Sequence, residues 1–324
     1  MRLPLPLYYP VTGAERDAWI LARRPGRNDV DSSQPYAYFV EDERSGPGEI
    51  VQVATIFLTN RECPWRCLMC DLWRNTLLEN VPIGAIPMQV DYALQRLAPA
   101  RHIKLYNSGS FFDPRAIPTK DHPAIALRLS DFERVIVECH PALVGDSCIQ
   151  FSDRLTGNLE VAMGLETVHP GILDRLNKRM TIGLFEQAAE FLRKNKIDLR
   201  VFILVKPPFM KEEEALEWAV RSLEFAFQCG ATAATLIPTR GGNGAMEELA
   251  ASGEFSAPRL AVLEEASAHG IAMNKGRVFS DLWNISVTSS CPICYDLRIA
   301  RLNTMNLQQS LLPPIACELC GGRS

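Results

Sequence analysis

The chain has 324 residues, of which 47% are hydrophobic and 22% are charged, and its formal net charge is -4. This length and apolar content suffice for a sizeable core, either in one large domain with appendages or in two domains. The charge balance excludes binding to nucleic acid through overall basicity, although a local basic patch is compatible with it. No apolar run approaches the length of a membrane span, and the N-terminal residues make a poor secretory signal. We therefore expect a cytoplasmic protein without a membrane partner, whose ten cysteines serve metal binding or catalysis rather than disulfides.

The first fifty residues differ in composition from the rest of the chain. Residues 1–50 are rich in Pro, Gly and charge, which predicts an irregular N-terminal extension with one short strand at "YAYFV". From residue 51, short β-rich apolar runs alternate with helical patterns such as those at 181–195 and 212–228. The runs occupy 51–58, 102–107, 134–138, 159–165, 199–205 and 234–238.

Six strand–helix units in succession predict a parallel sheet with helices outside it. Right-handed crossovers curl such a sheet towards a barrel, but the pattern does not separate a partial barrel from an open doubly wound sheet. In both architectures ligands bind beyond the C-terminal ends of the strands. The residues that follow each run are therefore the candidates for a functional site.

Three cysteines follow the first run, in the spacing C-x3-C-x2-C at Cys63, Cys67 and Cys70. Three thiolates from one loop can hold three corners of a [4Fe–4S] cluster and leave its fourth iron without a protein ligand. A zinc ion is not excluded by this count, because His140 or an acidic residue could supply a fourth ligand.

The stretch "CPWRCLMC" after a first strand resembles the cluster motif of the radical S-adenosylmethionine (SAM) superfamily. In that superfamily the open iron chelates the amino and carboxylate groups of SAM, and one electron from the cluster breaks the sulfur–C5′ bond. The resulting 5′-deoxyadenosyl radical abstracts hydrogen from a substrate. The resemblance implies a partial (β/α)6 barrel over residues 51–283, with a [4Fe–4S] cluster and SAM as cofactors. It also implies an electron donor of the flavodoxin or ferredoxin type.

The resemblance further implies which strand ends bind SAM. The stretch "LYNSGSF" stands where the superfamily has a short motif for the SAM amino group, although an ordinary turn explains it equally well. The stretch "GLET" ends the fourth run, where related barrels place a contact to the ribose or methionine portion of SAM. The sixth run stands where the superfamily lays a strand along the adenine. The expected SAM-binding residues are Asn107, Ser108, Gly109, Glu166, Thr167, Leu236 and Pro238.

Ionisable residues at three strand ends are candidates for catalysis or for substrate contact. Glu138 and His140 in "ECHP" could relay a proton, contact SAM or contact substrate, and a structural role for His140 is equally compatible. Lys206 precedes two prolines that stiffen its loop, and Arg240 and Asn243 lie in the Gly-rich stretch "TRGGNG". We predict Glu138, His140, Lys206 and Arg240 as catalytic or substrate-contacting residues, with Asn243 beside Arg240 for an anionic group.

Several longer stretches carry a closer resemblance, among them "IKLYNSGSFFDP", "MGLETVHPGIL" and "LIPTRGGNGAME". Together they are similar to the archaeosine-biosynthesis radical SAM group and, more distantly, to the elongator catalytic subunit. That resemblance implies C–N bond cleavage in a modified base and hence a tRNA substrate. Two alternatives are a radical SAM enzyme for a small molecule or peptide, and a zinc-binding interaction module without catalysis.

Residues 284–324 form a predicted tail with two C-x2-C pairs, at Cys291 and Cys294 and at Cys317 and Cys320. Four thiolates suit a structural zinc ion, which we favour, or a second iron–sulfur cluster. Either metal would stabilise a tail too short to form its own core.

Overall fold

The computed structural model of the chain describes residues 8–46, 48–288 and 291–319. Its strands form one sheet in which each strand lies beside its neighbours in sequence, from β1 at one edge to β8 at the other. The first pair, β1 and β2, is antiparallel, and all later pairs are parallel. The strands are β1 (Ala37–Arg44), β2 (Ile50–Leu58), β3 (His102–Asn107), β4 (Arg134–Glu138), β5 (Asn158–Glu166), β6 (Asp198–Val205), β7 (Ala233–Pro238) and β8 (Arg277–Ser280).

Helices follow most of the parallel strands and pack on the outer side of the sheet. The longest described helix, α7, buries Ala215, Ala219 and Leu223 at helical spacing and packs against β5, β6 and β7. The helices are α1 (Gly13–Arg23), α2 (Ala85–Leu94), α3 (His122–Arg128), α4 (Asp146–Ser152), α5 (Pro170–Arg175), α6 (Ile182–Lys194), α7 (Glu212–Gln228), α8 (Ala245–Ala251), α9 (Leu260–Ala272) and α10 (Tyr295–Gln308). In the described part of the chain, no helix has both the length and the apolar character needed to cross a membrane.

The predicted fold class is confirmed, because the six predicted runs correspond to β2 through β7 of a parallel sheet that curls into a partial barrel. The extension at 1–50 is more regular than the sequence predicts. It contains α1 in addition to the expected strand, and the antiparallel β1 extends the sheet. Helix α1 is anchored by Trp19 and Ile20, which are buried against Leu68, Met246 and Leu249.

A layer of charged side chains fills the barrel interior near the N-terminal ends of the parallel strands. Arg200 lies between two carboxylates, with its Nη2 2.6 Å from Glu43 Oε1 and its Nε 2.5 Å from Glu160 Oε1. Lys104 pairs with Glu43, and Arg277 pairs with Glu160. All five side chains are almost fully buried, so each charge is stabilised by its ion-pair partners rather than by water. We call these five residues the charged layer.

Helix α10 covers the gap between the two edge strands of the sheet. Asn306 and Gln309 hydrogen-bond to the backbone of β8, and Arg44 of β1 donates to the Leu307 carbonyl. Arg277 spans the gap as well, because its Nη1 lies 3.2 Å from the Arg44 carbonyl oxygen. Side chains and α10 therefore join the two edges, which share no ladder of backbone hydrogen bonds in the described sheet.

Candidate functional site

A cavity of about 340 Å³ opens at the C-terminal ends of the parallel strands. The inner wall carries Ala162, Gly164, Phe202 and Leu204, which alternate with outward-facing residues along β5 and β6. Most of the predicted site residues meet here, as the parallel topology requires. Those that line the cavity are Cys63, Cys67, Cys70, Ser108, Gly109, Glu138, His140, Glu166, Pro238 and Arg240.

The cysteine loop has little regular structure, so polar side chains from distant segments hold its backbone. Asn243 donates from Nδ2 to the carbonyls of Leu68 and Cys70, at 2.8 and 3.1 Å. Asn177 donates to the Arg66 carbonyl at 2.8 Å, and the Leu68 amide donates to the Leu176 carbonyl at 2.9 Å. The expected anion contact of Asn243 is thus replaced by a scaffolding role, because its amide group is committed to the loop.

The three thiols of the loop share one buried environment. Burial raises the pKa of each of Cys63, Cys67 and Cys70 to about 12, so the free thiols remain protonated at neutral pH. Among the described residues, the group that brings three ligand atoms within 4.8 Å of one another lies in the C-terminal tail, not in this loop. A four-iron cluster does not require such closeness, because each thiolate binds a different iron.

The wall beside the loop fits a cluster with a polar ligand. A Cβ atom at Gly109 would come within 3.2 Å of the Cys63 Cβ, so a larger residue there would require Cys63 to shift by a few tenths of an ångström. Both side-chain amide atoms of Asn107 are buried and have no hydrogen-bond partner among the described residues. Buried polar groups are normally paired, so this unsatisfied amide at the end of β3 is available to a ligand.

Glu138 lies in the cavity at the end of β4 and accepts a hydrogen bond from the Asn107 backbone amide at 3.1 Å. Burial raises the pKa of this carboxyl to about 8, against the opposing effects of that hydrogen bond and of Lys178. Glu138 therefore holds a proton near neutral pH and can release it to a base in the cavity.

Glu166 forms a buried ion pair with Lys178, which also donates to the Gly164 carbonyl at 2.5 Å. The pair lies directly over Gly164, where an added Cβ would come within 2.1 Å of Glu166 Oε1. Glu166 adopts a left-handed conformation with φ of 64°, at an irregularity in the register between β5 and β6. Glycine at 164 and the strained backbone at 166 together place one carboxylate and one ammonium in the cavity wall.

His140 has a scaffolding position rather than a free imidazole. Its ring stacks on Trp65 with centroids 3.8 Å apart. Its Nδ1 accepts from the Ala142 amide at 3.1 Å, so Nε2 carries the proton and donates to the Lys178 carbonyl at 3.0 Å. Burial, followed by the charge of Lys178, lowers the pKa of the imidazole to about 4. With both ring nitrogens engaged, the ring is unsuited to proton relay and to metal ligation.

Asn107 and Asn243 do not line the cavity in the described part of the chain, and neither do Lys206, Thr167 and Leu236. Lys206 pairs with Glu212 and donates to Ser256 Oγ at 2.6 Å, so it joins two loops. Thr167 Oγ1 accepts from the His169 amide and stabilises a turn. The Leu236 carbonyl accepts from the Asp281 amide at 2.8 Å, and the leucine side chain is in the core. The catalytic role of Lys206 and the SAM-binding roles of Thr167 and Leu236 therefore stay predictions, made for residues that have these contacts within the chain.

At the cavity mouth, Arg240 pairs with Asp281 at 2.9 Å and donates to the Trp283 carbonyl. The two charges of this pair face the cavity together. Sequence reasoning missed Asp281, and also Arg24 and Glu62, which line the cavity behind the cysteine loop. No motif marks Arg24 and Asp281, because they come from segments that meet the loop only in the folded chain, and Glu62 directly precedes Cys63 but is not a metal-ligand type in the cysteine spacing.

In the C-terminal tail, the sulfurs of Cys291, Cys294 and Cys317 lie within 4.8 Å of one another. The sulfurs of Cys291 and Cys317 are 3.8 Å apart. A tetrahedral zinc ion with Zn–S bonds of about 2.3 Å sets its sulfurs about 3.8 Å apart, so this arrangement could hold one metal ion. Cys320, the fourth predicted ligand, lies outside the described residues.

No protein-family model matches the chain. The chain is 25% identical over 237 residues to an uncharacterized protein of Methanocaldococcus jannaschii, a match that covers 68% of this chain and 65% of that protein. It is 28% identical over 191 residues to the archaeosine synthase subunit beta of Methanosarcina acetivorans, which covers 55% of each chain. The chain thus spans less than two thirds of the length of these curated relatives.

Among solved structures, the chain is similar to the archaeal Elp3 of Methanocaldococcus infernus, with a TM-score of 0.51 and 13% identity. That match covers 68% of this chain and 59% of the Elp3 chain, and it shows a shared fold. The resemblance expected from the motifs is therefore confirmed, both in the archaeosine synthase relatives and in the barrel.

Proposed function

We propose that this chain is a radical SAM enzyme that binds a [4Fe–4S] cluster through Cys63, Cys67 and Cys70. The observation that carries the proposal is the position of these thiols, on one loop at the cavity beyond the C-terminal ends of the strands. A cluster held by three thiolates, with SAM at its fourth iron, supplies reductive cleavage of SAM and abstraction of a substrate hydrogen atom. The sequence relatives named archaeosine synthase subunit beta support this proposal.

The remaining cavity residues have distinct parts in this proposal. Asn107 and the backbone at Gly109, at the end of β3, would hold the amino-acid end of SAM. The Glu166–Lys178 pair offers a carboxylate for ribose hydroxyls, while Pro238 contributes to the wall along the adenine. Glu138 holds a proton near the reacting groups, because its pKa of about 8 keeps it protonated at neutral pH.

We further propose that the substrate is a modified base in tRNA and that the reaction breaks a C–N bond. Support comes from the relatives named for archaeosine synthesis. The Arg240–Asp281 pair at the mouth provides a cation and an anion that suit a substrate group carrying both charges. A flavodoxin or ferredoxin would deliver the electron.

The test is anaerobic reconstitution of the full chain with iron and sulfide, followed by reduction and addition of SAM. We expect about four irons per loop site, a reduced-cluster electron paramagnetic resonance (EPR) signal that changes on SAM binding, and formation of 5′-deoxyadenosine. Cys67→Ala should abolish all three, whereas Cys229→Ala removes a thiol outside both cysteine groups and should change none.

The substrate class is tested in the same assay, by adding bulk tRNA, small amines or peptides to parallel reactions. Stimulation of 5′-deoxyadenosine release by tRNA alone supports the tRNA proposal, and stimulation by a small molecule contradicts it. A colourless protein that binds only zinc and has no affinity for SAM would instead identify a zinc-binding interaction module.

For the C-terminal tail we propose a structural zinc ion rather than a second iron–sulfur cluster. The separation of 3.8 Å between the Cys291 and Cys317 sulfurs supports it, because that distance matches one tetrahedral ion. Metal analysis of the Cys63→Ala, Cys67→Ala, Cys70→Ala triple variant separates the two sites. One zinc and no iron per chain is the expected result, and residual iron with sulfide would contradict it.

A further inference from the structure

The residue that precedes the first cysteine is surrounded by arginines. Glu62 Oε1 lies 2.6 Å from an Arg24 nitrogen and 3.1 Å from an Arg66 nitrogen, and Glu62 Oε2 pairs with Arg27. All four side chains are largely buried, with between 8% and 26% of each exposed. We call these four residues the arginine clamp.

The clamp is fixed to the cysteine loop at several points. Arg27 donates to the Trp73 carbonyl at 2.7 Å, and the Trp73 indole donates to the Cys70 carbonyl at 3.2 Å. The Arg24 guanidinium lies over the Trp73 ring, 4.5 Å from its centroid. Arg66 stands between the first two cysteines in sequence and donates to the Cys63 carbonyl. Both ends of the loop are therefore in contact with the clamp.

The charges of the clamp do not cancel. Three guanidiniums face one carboxylate, which leaves an excess of two positive charges behind the loop. The exposed Asp71 next to Cys70 offsets part of this excess. Geometry alone does not require such an imbalance, since one arginine per carboxylate oxygen would hold the loop equally well.

We infer that the arginine clamp positions the cysteine loop and makes its cluster easier to reduce. This inference rests on the proposed function. When a ferredoxin- or flavodoxin-type donor transfers one electron, the cluster gains one negative charge, and nearby fixed positive charges stabilise that reduced state. Arg24 and Arg27 come from the segment after α1, so the N-terminal extension contributes to the redox properties of the centre.

The clamp offers substitutions with opposite electrostatic effects. Arg27→Gln removes a positive charge, and Glu62→Gln removes the negative one, yet both break the same ion pair. If the clamp were only a scaffold, both variants would perturb the cluster in the same direction. If it tunes the cluster, their reduction potentials shift in opposite directions.

The experiment is a redox titration of the reconstituted full chain without SAM, followed through the EPR signal of the reduced cluster. For Arg27→Gln we expect the ratio of reduced to oxidised cluster at a fixed potential to fall by about tenfold. That is the effect of one unit charge at roughly 10 Å in a medium with an effective dielectric constant of about 20. Glu62→Gln should raise the same ratio, and Arg27→Lys, which keeps the charge, should restore it towards the unmodified value.

Arg101→Gln is the matched control, because it removes a guanidinium at the opposite end of the barrel, where Arg101 pairs with Glu49 and Glu133. It should leave the ratio unchanged. Equal ratios in all variants, or shifts of the same sign in Arg27→Gln and Glu62→Gln, overturn the inference. If Glu62→Gln does not retain its cluster, the comparison of Arg27→Gln with Arg27→Lys decides alone. Failure of the unmodified chain to bind any cluster refutes the proposed function instead.

Discussion

A lysine and a glutamate in the cavity wall depend on each other for burial. Only 9% of each side chain of Lys178 and Glu166 is exposed. Lys178→Met leaves the Glu166 carboxylate buried without a counter-charge, so we expect a loss of about 3–5 kcal/mol in the free energy of unfolding. Urea denaturation of the metal-free protein measures it.

The double variant Lys178→Met, Glu166→Leu is the control for that measurement. It removes both charges, and we expect it to recover most of the lost stability while SAM binding stays weak. Additive losses in the double variant would contradict a coupled pair.

Glu138 gives the metal-free protein a distinctive pH dependence. Its pKa is about 8 in the folded chain against 4.5 for the unperturbed group, so the folded state binds the proton more tightly than the unfolded state does. The contribution of this group to stability is therefore complete below about pH 4.5 and is lost as the pH rises towards 8. We expect the difference in melting temperature between the unmodified chain and Glu138→Gln to change steadily as the pH is raised from about 4.5 to about 8. A constant difference would contradict the raised pKa.

At the scale of single residues, candidate ligands could be selected from the sequence more readily than supporting contacts. The cysteine spacing is a local signal, so Cys63, Cys67 and Cys70 could be selected without any structure. The contacts of His140 could not be predicted in this way, because the Trp65 ring and the Lys178 carbonyl come from other loops. Lys206 likewise lies at a strand end, but the backbone at φ of 53° places its ammonium among Glu212 and Ser256.

Among the helices, α10 connects the tail cysteines to the barrel. Cys294 directly precedes the helix, and Arg298 and Arg301 on its surface pair with Glu264 of α9. We expect chelation of the proposed tail metal to loosen α10 and β8, because a metal bound at Cys291 and Cys294 would fix the start of the helix. Hydrogen exchange should accelerate in these two elements and remain slow in β3 through β6.

Cys294→Ser provides the matched variant for the chelation experiment. It should reproduce the faster exchange of α10 without added chelator, whereas Cys229→Ser at the end of α7 should not. Uniform acceleration across the sheet would contradict a local role for the tail metal.

Whether an element could be predicted depended on how it is buried. Strands β2 to β7 lie between inner and outer layers, so they read as apolar runs and were found with nearly correct bounds. Strand β8 has four residues, Arg277–Ser280, and two of them are polar. The remaining apolar run is too short to indicate a strand. Helix α1 is amphipathic, but the charged and Pro-rich residues after Arg23 obscure its period.

For the molecule as a whole, the charged layer joins strands that are distant in sequence. Glu160 Oε2 lies 2.8 Å from Arg134 and 3.2 Å from Arg277, while its Oε1 contacts Arg200. We expect Glu160→Gln to lower the free energy of unfolding by about 3–5 kcal/mol, since several guanidiniums then face too few carboxylates. Denaturant unfolding measures this loss. Glu133→Gln, at an exposed ion pair with Arg101, should change it by less than about 1 kcal/mol.

The same layer determines the response to acid. Although burial opposes it, the attraction of Arg200, Arg277 and Arg134 lowers the pKa of Glu160 from 4.5 to about 2. A carboxyl group whose pKa is lowered by folding stabilises the fold at pH values above its pKa in the unfolded chain. This contribution is lost as the pH falls from about 4.5 to about 2. Unfolding followed by circular dichroism at a series of acid pH values should show that Glu160→Gln loses less stability between pH 4.5 and pH 2 than the unmodified chain does. An equal loss in both would contradict the assigned pKa.

The charged layer fills the barrel interior near the N-terminal ends of the strands, and α10 covers the gap between β1 and β8. A ligand therefore enters and leaves the interior through the cavity at the C-terminal ends of the strands. We therefore expect that two ligands sharing this interior bind in order and leave in the reverse order.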